Sequence, residues 1–257
     1  MKHKQTTQAS IVLWFNEVGK DDVPLVGGKA ASLGEMTQAG IPVPPGFVVT
    51  ADCYFSFLEK ANLKAQVRSL LADLDPNNSR QLARIASQIK AAIQSAEMPL
   101  DIADRIRQAY RELGGGLVAV RSSATAEDMP DASFAGQQST FLNVQGEEEV
   151  ILAVQDCWAS LYESRAIFYR VQKGYDHLAV GLAAVVQRMV QSEVAGVLFT
   201  VEPVSSDPTK IVIESVWGLG EAIVSGAVTP DYIVVDKESL RVLERKPVAE
   251  AAGPVAD

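Results

Sequence analysis

The chain has 257 residues, of which 47% are hydrophobic and 21% are charged, and its formal net charge is −9 at pH 7. This composition is typical of globular proteins, and the length suits one large domain or two lobes. Because no block of lysine and arginine interrupts the acidity, nucleic acid and anionic membranes are poor partners. A phosphate ligand would need a few placed cations and backbone N–H groups.

The polar start of the chain and its two cysteines indicate a cytoplasmic protein. The first residues lack a secretory signal, and the longest apolar run, residues 178–186, is too short to span a bilayer. Cys53 and Cys157 each lie in a helix-like pattern and belong to no C-x-x-C pair. We therefore predict two buried thiols, no metal ligation by cysteine and no membrane contact.

The first part of the chain is predicted to be helical, after a flexible N-terminus over residues 1–10. Residues 29–39 form a short helix with Gly40 at its C′ position, and Thr50 caps a second helix that runs to about Ala61. Two further helices follow from apolar residues at helical spacing, Leu82, Ile85, Ile89 and Ile93 in one and Ile102, Ile106, Tyr110 and Leu113 in the other.

The pattern changes after glycines 114–116, which either end a helix or separate two lobes. On the second interpretation a helix-rich part covers about residues 11–115 and a strand-rich part about 116–257. The later part is predicted to contain a short strand at 117–120, one long helix at 150–172, and strands at 179–190, 196–201, 211–216, 232–235 and 241–243. This mixture predicts an α/β or α+β fold.

Two glycines precede a lysine in the segment Val26-Gly27-Gly28-Lys29, at the start of the first predicted helix. Glycine allows close approach of the backbone to a ligand, and helix N-termini favour anions. The segment lacks the first glycine of a Walker A loop, and Ala30 stands where that motif has serine or threonine. From spacing alone, a tight turn with a solvated lysine is favoured over a phosphate site.

Arg121 is predicted to leave the end of a strand and enter a loop rich in hydroxyl groups. Its guanidinium group matches phosphate oxygens in a two-pronged way. The alternative is an ion pair with Glu127 or Asp128. The loop continues through residues 129–140 with small residues around Phe134, and its length favours a lid over a ligand.

Three other segments contain polar residues within the apolar pattern. Gln187 interrupts a strand, and its amide could bond to an adenine edge or to a neighbouring backbone group, although an outward-facing strand residue is the favoured interpretation from the residue alone. Residues 217–221 fail the dinucleotide pattern because Ile223 replaces its third glycine. Glu202, Asp207 and Glu214 follow or end strands, and His177 is predicted to be a turn residue with no nucleophilic role.

Taken together, these motifs resemble the ATP-binding region of the phosphoenolpyruvate synthase and pyruvate phosphate dikinase family. The most specific match is Arg-Ser-Ser-Ala-Thr-Ala-Glu-Asp-Met-Pro-Asp-Ala-Ser-Phe-Ala-Gly-Gln-Gln at residues 121–138. Further matches lie at residues 12–16, 26–29, 42–47, 174–177, 186–190 and 217–230. The resemblance therefore covers nearly the whole chain.

The resemblance implies an ATP-grasp-like fold in which two lobes hold ATP and Mg²⁺. It places Lys29 and Arg121 at the phosphates as the catalytic cations, Gly136 and Thr140 in the loop over the phosphates, and Gln187 at the adenine. In the family, ATP phosphorylates a histidine on a separate domain, and the phosphoryl group then reaches a pyruvate-binding barrel. The overall reaction converts pyruvate, ATP and water to phosphoenolpyruvate, AMP and phosphate.

The sequence departs from the family pattern because it stops at Asp257. The family's acidic magnesium ligand, its Gln-Ala-Arg-Pro signature, the carrier histidine and the barrel are not in it. We therefore expect a fold without its C-terminal part, weak binding of Mg·ATP, no activity of this chain alone, and a homodimer in the full-length enzyme. A rifampicin-type antibiotic phosphotransferase and a non-catalytic nucleotide-binding module are the alternative interpretations.

Overall fold

The computed structural model of the chain describes residues 10–125 and 139–247. The predicted flexible terminus lies, except for Ser10, outside the described residues. Contacts between residues divide the chain into two compact units, Met1–Met189 and Val190–Asp257.

The first unit is built on one five-stranded antiparallel sheet. Its strands, in the spatial order β1-β2-β5-β3-β4, are β1 Val12–Trp14, β2 Gly46–Val49, β3 Val118–Ala124, β4 Thr140–Val144 and β5 Leu182–Arg188. The predicted short strand at 117–120 is therefore too short. Residues 122–124 continue β3 because they pair with residues 182–184 of β5, so Arg121 lies within a strand and not at its end.

Helices cover both faces of this sheet. They are α1 Val23–Gln38, α2 Ala51–Lys60, α3 Leu63–Leu71, α4 Ser79–Ser95, α5 Leu100–Glu112, α6 Glu147–Ser160 and α7 Ser164–Lys173, and two 3₁₀ turns at Phe15–Glu17 and Lys20–Asp22 precede α1. Alternate strand residues face two separate apolar clusters, as the two-residue repeat of a strand requires. α1 contributes to the smaller cluster, and the other helices contribute to the larger one on the opposite face.

Several predicted helix ends are confirmed. Thr50 caps α2, since its hydroxyl oxygen accepts a hydrogen bond from the backbone N–H of Cys53 at 3.2 Å. Gly40 follows α1 with a φ of +77°, the left-handed conformation expected at C′. Cys53 and Cys157 are buried free thiols, as predicted. No helix in the described ranges is both long and apolar enough to cross a membrane.

The single helix predicted at 150–172 is wrong, because α6 ends at Ser160 and α7 begins at Ser164. The carbonyl oxygen of Leu161, the residue that follows α6, accepts a hydrogen bond from Nη2 of the buried Arg170 at 2.6 Å. The break turns Tyr162 into the core, where its hydroxyl lies 3.0 Å from that of Tyr54. Apolar spacing alone does not reveal this interruption.

Glycines 114–116 end α5 inside the first unit. The N–H of Gly115 donates to the carbonyl oxygen of Tyr110 at 3.0 Å, and the Tyr110 hydroxyl donates to the carbonyl oxygen of Gly116 at 2.7 Å. The stretch therefore ends a helix, and the boundary between the two compact units follows Met189.

The second unit contains a four-stranded antiparallel sheet in sequential order. Its strands are β6 Val194–Phe199, β7 Lys210–Trp217, β8 Asp231–Asp236 and β9 Val242–Lys246, with a short helix α8 Glu221–Val224 after β7. The four strands predicted for this region are confirmed to within a few residues. Together the two units form the mixed α/β architecture that the sequence predicts.

Candidate functional site

The α1 face of the first sheet brings together most of the residues predicted to bind ATP. Arg121 on β3 lies opposite Val185 on β5 and opposite Thr140 on β4. Val185 packs into the cluster beneath α1. Because side chains paired across antiparallel strands project from the same face, Arg121 and Thr140 face the α1 side as well.

Gln187 extends this face by one pair of residues. It lies opposite Ala119 on β3 and Gly46 on β2, two positions after Val185 on its own strand. Its Nε2 donates a hydrogen bond to the carbonyl oxygen of Pro44 at 3.0 Å. The amide nitrogen of Gln187 is therefore bonded to the neighbouring backbone, which is one of the two partners considered for this side chain.

Gly27 allows α1 to lie directly against β3. The helix is kinked at this residue, whose φ of 75° and ψ of 164° are not helical. A Cβ atom at Gly27 would lie 2.3 Å from Oγ of Ser123 and 2.5 Å from its carbonyl oxygen. Only glycine fits both the conformation and the space, so the close approach that the sequence suggested for a ligand occurs here to a strand.

Residues 27–29 at this kink are called the turn below, and Lys29 extends from it towards β3. Its Nζ donates a hydrogen bond to the carbonyl oxygen of Ser122 at 3.2 Å, and its side chain is half-buried. Ser122 is the immediate neighbour of Arg121. The ammonium group of Lys29 therefore contacts the residue that follows Arg121, although the two predicted cations are distant in the sequence.

The side chain of Arg121 is half-buried and forms no hydrogen bond or ion pair with any residue within 10–125 or 139–247. Its proposed alternative partners, Glu127 and Asp128, lie outside the described residues, as does Gly136. A half-buried guanidinium group loses part of its hydration, and an anion that restores the lost interactions binds favourably. Arg121 thus has the properties of an anion-binding residue.

Two of the three acidic residues at strand ends, Glu202 and Asp207, bond to their own loops. Glu202 accepts hydrogen bonds from the backbone N–H groups of Val204 and Ser205, and Asp207 accepts one from that of Thr209. The hydrogen bonds from Thr209 lower the pKa of Asp207 to about 2. Across the described parts of the chain no three His, Cys, Asp or Glu side chains cluster as metal ligands do, and none is assigned to Mg²⁺.

Two polar residues of the first unit were missed by the sequence analysis. Ser123 accepts a hydrogen bond from the backbone N–H of Ala30, and no local pattern predicts a contact over 93 residues. Arg170 is fully buried and donates from Nε to Nδ1 of His177 at 2.9 Å. Its position three residues after the buried Ile167, on the apolar stripe of α7, was a signal available in the sequence.

Burial, together with the contact with Arg170, keeps His177 neutral at physiological pH, and its role is structural. Burial, and secondly the charge of Arg170, lower its pKa to about 4. In the unfolded chain the pKa is about 6.5. Between these values the unfolded chain binds more protons, so this group's contribution to stability is complete above pH 6.5 and is lost as the pH falls towards 4.

We expect the free energy of unfolding to decrease between pH 6.5 and 4, and His177→Gln to weaken this dependence because glutamine accepts from Arg170 without titrating. Urea unfolding at half-unit pH intervals measures both. The neutral state of His177 would be contradicted by an imidazole that titrates near pH 6.5 in the NMR spectrum of the folded protein.

Comparison with known proteins matches most of the chain to one protein family. Residues 23–253 match the family model described as "Pyruvate phosphate dikinase, AMP/ATP-binding domain". The chain is 54% identical over 239 residues to a probable phosphoenolpyruvate synthase of Methanothermobacter thermautotrophicus, covering 91% of this chain and 35% of that protein. It is 53% identical over 240 residues to a probable phosphoenolpyruvate synthase of Archaeoglobus fulgidus, covering 91% and 32%.

A third relative is the phosphoenolpyruvate synthase of Pyrococcus furiosus, 45% identical over 272 residues, with 91% of this chain and 33% of that protein covered. The chain thus spans about a third of the length of these relatives.

Proposed function

Because the chain belongs to the pyruvate phosphate dikinase AMP/ATP-binding domain family, whose fold is ATP-grasp-like, we propose that it binds ATP on the α1 face of its first sheet. Lys29 and Arg121 hold the phosphates in this proposal. The observation that supports it best is Arg121, whose half-buried side chain has no partner among the described residues. It directly precedes Ser122, whose carbonyl oxygen accepts a hydrogen bond from Lys29.

The two cations bind and orient the triphosphate, and they also act on the reaction. In phosphoryl transfer from ATP, negative charge develops on the bridging oxygen of the departing nucleoside diphosphate or monophosphate. Positive groups placed in advance, in surroundings drier than bulk water, stabilise that charge more in the transition state than in the ground state. In the full-length enzyme, loss of either cation should therefore lower the rate of phosphoryl transfer as well as the affinity for ATP.

The remaining predicted contacts belong to the same proposal. Gly136 and Thr140 lie in or next to the loop over the phosphates. Gln187 uses Nε2 for Pro44, so its Oε1 is the atom that can accept a hydrogen bond from the adenine amino group. Mg²⁺ accompanies ATP, and the protein acts in the cytoplasm.

We propose further that the enzyme to which this domain belongs is a phosphoenolpyruvate synthase. In that reaction the phosphoryl group from ATP passes through a carrier histidine to pyruvate, and AMP, phosphate and phosphoenolpyruvate are the products. The relatives are named phosphoenolpyruvate synthases, which supports this reaction. The sequences of these relatives extend well beyond the domain that this chain spans.

Isothermal titration calorimetry with a non-hydrolysable ATP analogue tests the binding proposal. We expect binding of one analogue molecule per chain, and an affinity that falls with increasing salt because the contacts to phosphate are ionic. Adenosine should compete more weakly than the analogue. The absence of any binding heat with a chain shown by circular dichroism to be folded would contradict the proposal.

A further inference from the structure

Ser123 connects the two segments that contain the proposed phosphate-binding cations. Its side chain is fully buried, and its Oγ accepts a hydrogen bond from the backbone N–H of Ala30 at 3.3 Å. Ala30 follows Lys29 directly, and Ser123 lies two positions after Arg121 on the same face of β3. One hydroxyl group therefore joins the turn that carries the lysine to the strand that carries the arginine.

This hydrogen bond also supplies a helix cap that the turn itself cannot form. The second and longer helical part of α1 begins after the non-helical Gly27, which thus takes the place of an N-cap for that part. A cap side chain usually accepts from the N–H two or three residues further on, and Ala30 is three residues beyond Gly27. Since glycine has no side-chain oxygen, Ser123 provides the acceptor from a strand 93 residues away.

The packing around Ser123 leaves this link little freedom to move. Gly27 lies so close to the backbone of Ser123 that even a methyl group would not fit between them. Lys29 bonds to the carbonyl oxygen of Ser122, on the neighbouring peptide unit. Turn and strand thus meet at three points within a few residues, which fixes where the lysine side chain starts.

We propose that Ser123 is a positioning residue for the phosphate site, an inference that rests on the proposed ATP binding. Its hydroxyl holds Ala30, and through it Lys29, at a constant position relative to Arg121 before the nucleotide arrives. Groups that are already in place lose less conformational freedom on binding, and affinity is higher as a result.

A double-mutant cycle on the analogue affinity tests this role. Ser123→Ala should weaken binding about tenfold in the otherwise unmodified chain, the effect of one buried hydrogen bond acting through Lys29. In the Lys29→Met background, where there is no charge to position, the same change should weaken binding less than about threefold. The control is Ser160→Ala, which removes another buried hydroxyl, one that donates to the Cys157 carbonyl oxygen on α6.

We expect Ser160→Ala to leave the affinity unchanged. If Ser123→Ala does not fold, Ser123→Cys replaces it, since a thiol has similar size and is a poor acceptor. An unchanged affinity of the Ser123 variant, or an equal loss in both backgrounds, overturns the positioning role while the unmodified chain still binds. If the unmodified chain binds no analogue, the proposed function fails first and this inference fails with it.

Discussion

Replacing Gly27 by alanine is expected to lower the free energy of unfolding by about 2–5 kcal/mol, the sum of an overpacking cost and the cost of a positive φ. The new Cβ would lie 2.3 Å from Oγ of Ser123 and 2.5 Å from its carbonyl oxygen. Neither the strand nor the turn can withdraw without separating α1 from β3. Because Lys29 follows within two residues, binding of the ATP analogue should weaken as well.

Gly40→Ala is the matched control for this prediction. Gly40 has nearly the same φ, 77° against 75°, but no atom lies within 4 Å of the position of its Cβ. This variant carries the backbone cost alone, about 1 kcal/mol. Urea unfolding curves of the two variants separate backbone strain from collision. Equal losses in both would show that β3 does not lie against the turn as described.

Replacing Arg121 by alanine is expected to weaken binding of the ATP analogue by about 1–3 kcal/mol, the range for a hydrogen bond to a charged group. The free energy of unfolding should stay the same or rise, because Arg121 has no described partner to lose and its half-buried charge is removed. Lys29→Ala should differ, since it also loses the hydrogen bond to Ser122 and with it some stability.

Calorimetry and urea unfolding of the same preparations measure both quantities. Lys64→Ala is the control for net charge, because it removes one positive charge from an exposed ion pair with Glu59. If Arg121→Ala binds the analogue as tightly as Lys64→Ala does, Arg121 is not at the phosphates. A large loss of stability in Arg121→Ala would instead assign it a structural role.

The sequence predicted the elements whose signals are local. Helices α2, α4 and α5 follow from a cap and from apolar spacing, and the strands of the second unit follow from runs of valine and isoleucine. The strands β1, β2 and β4 were missed because each is three to five residues long and takes its conformation from pairing. The break between α6 and α7, where Arg170 bonds to the carbonyl oxygen of Leu161, was not evident from apolar spacing.

For the candidate site, motif and resemblance suggested the residues, and the structure supplies their geometry. Arg121 was expected at the end of a strand and lies within one. The pairing of Arg121 with Thr140 depends on strand register, and the role of Ser123 depends on a contact between distant segments. Such contacts are decided by the packing of the whole unit and leave no local trace in the sequence.

The long sequence separation between α1 and β3 has a consequence for how the domain responds to its ligand. Closing a loop of this length costs chain entropy, so the turn and strand meet only in a chain whose first unit is largely folded. A nucleotide that bridges Lys29 and Arg121 binds the native state and does not bind the denatured state. By mass action, saturation at one hundred times the dissociation constant adds about 2.7 kcal/mol of stability, so a rise in melting temperature reports occupancy without any turnover.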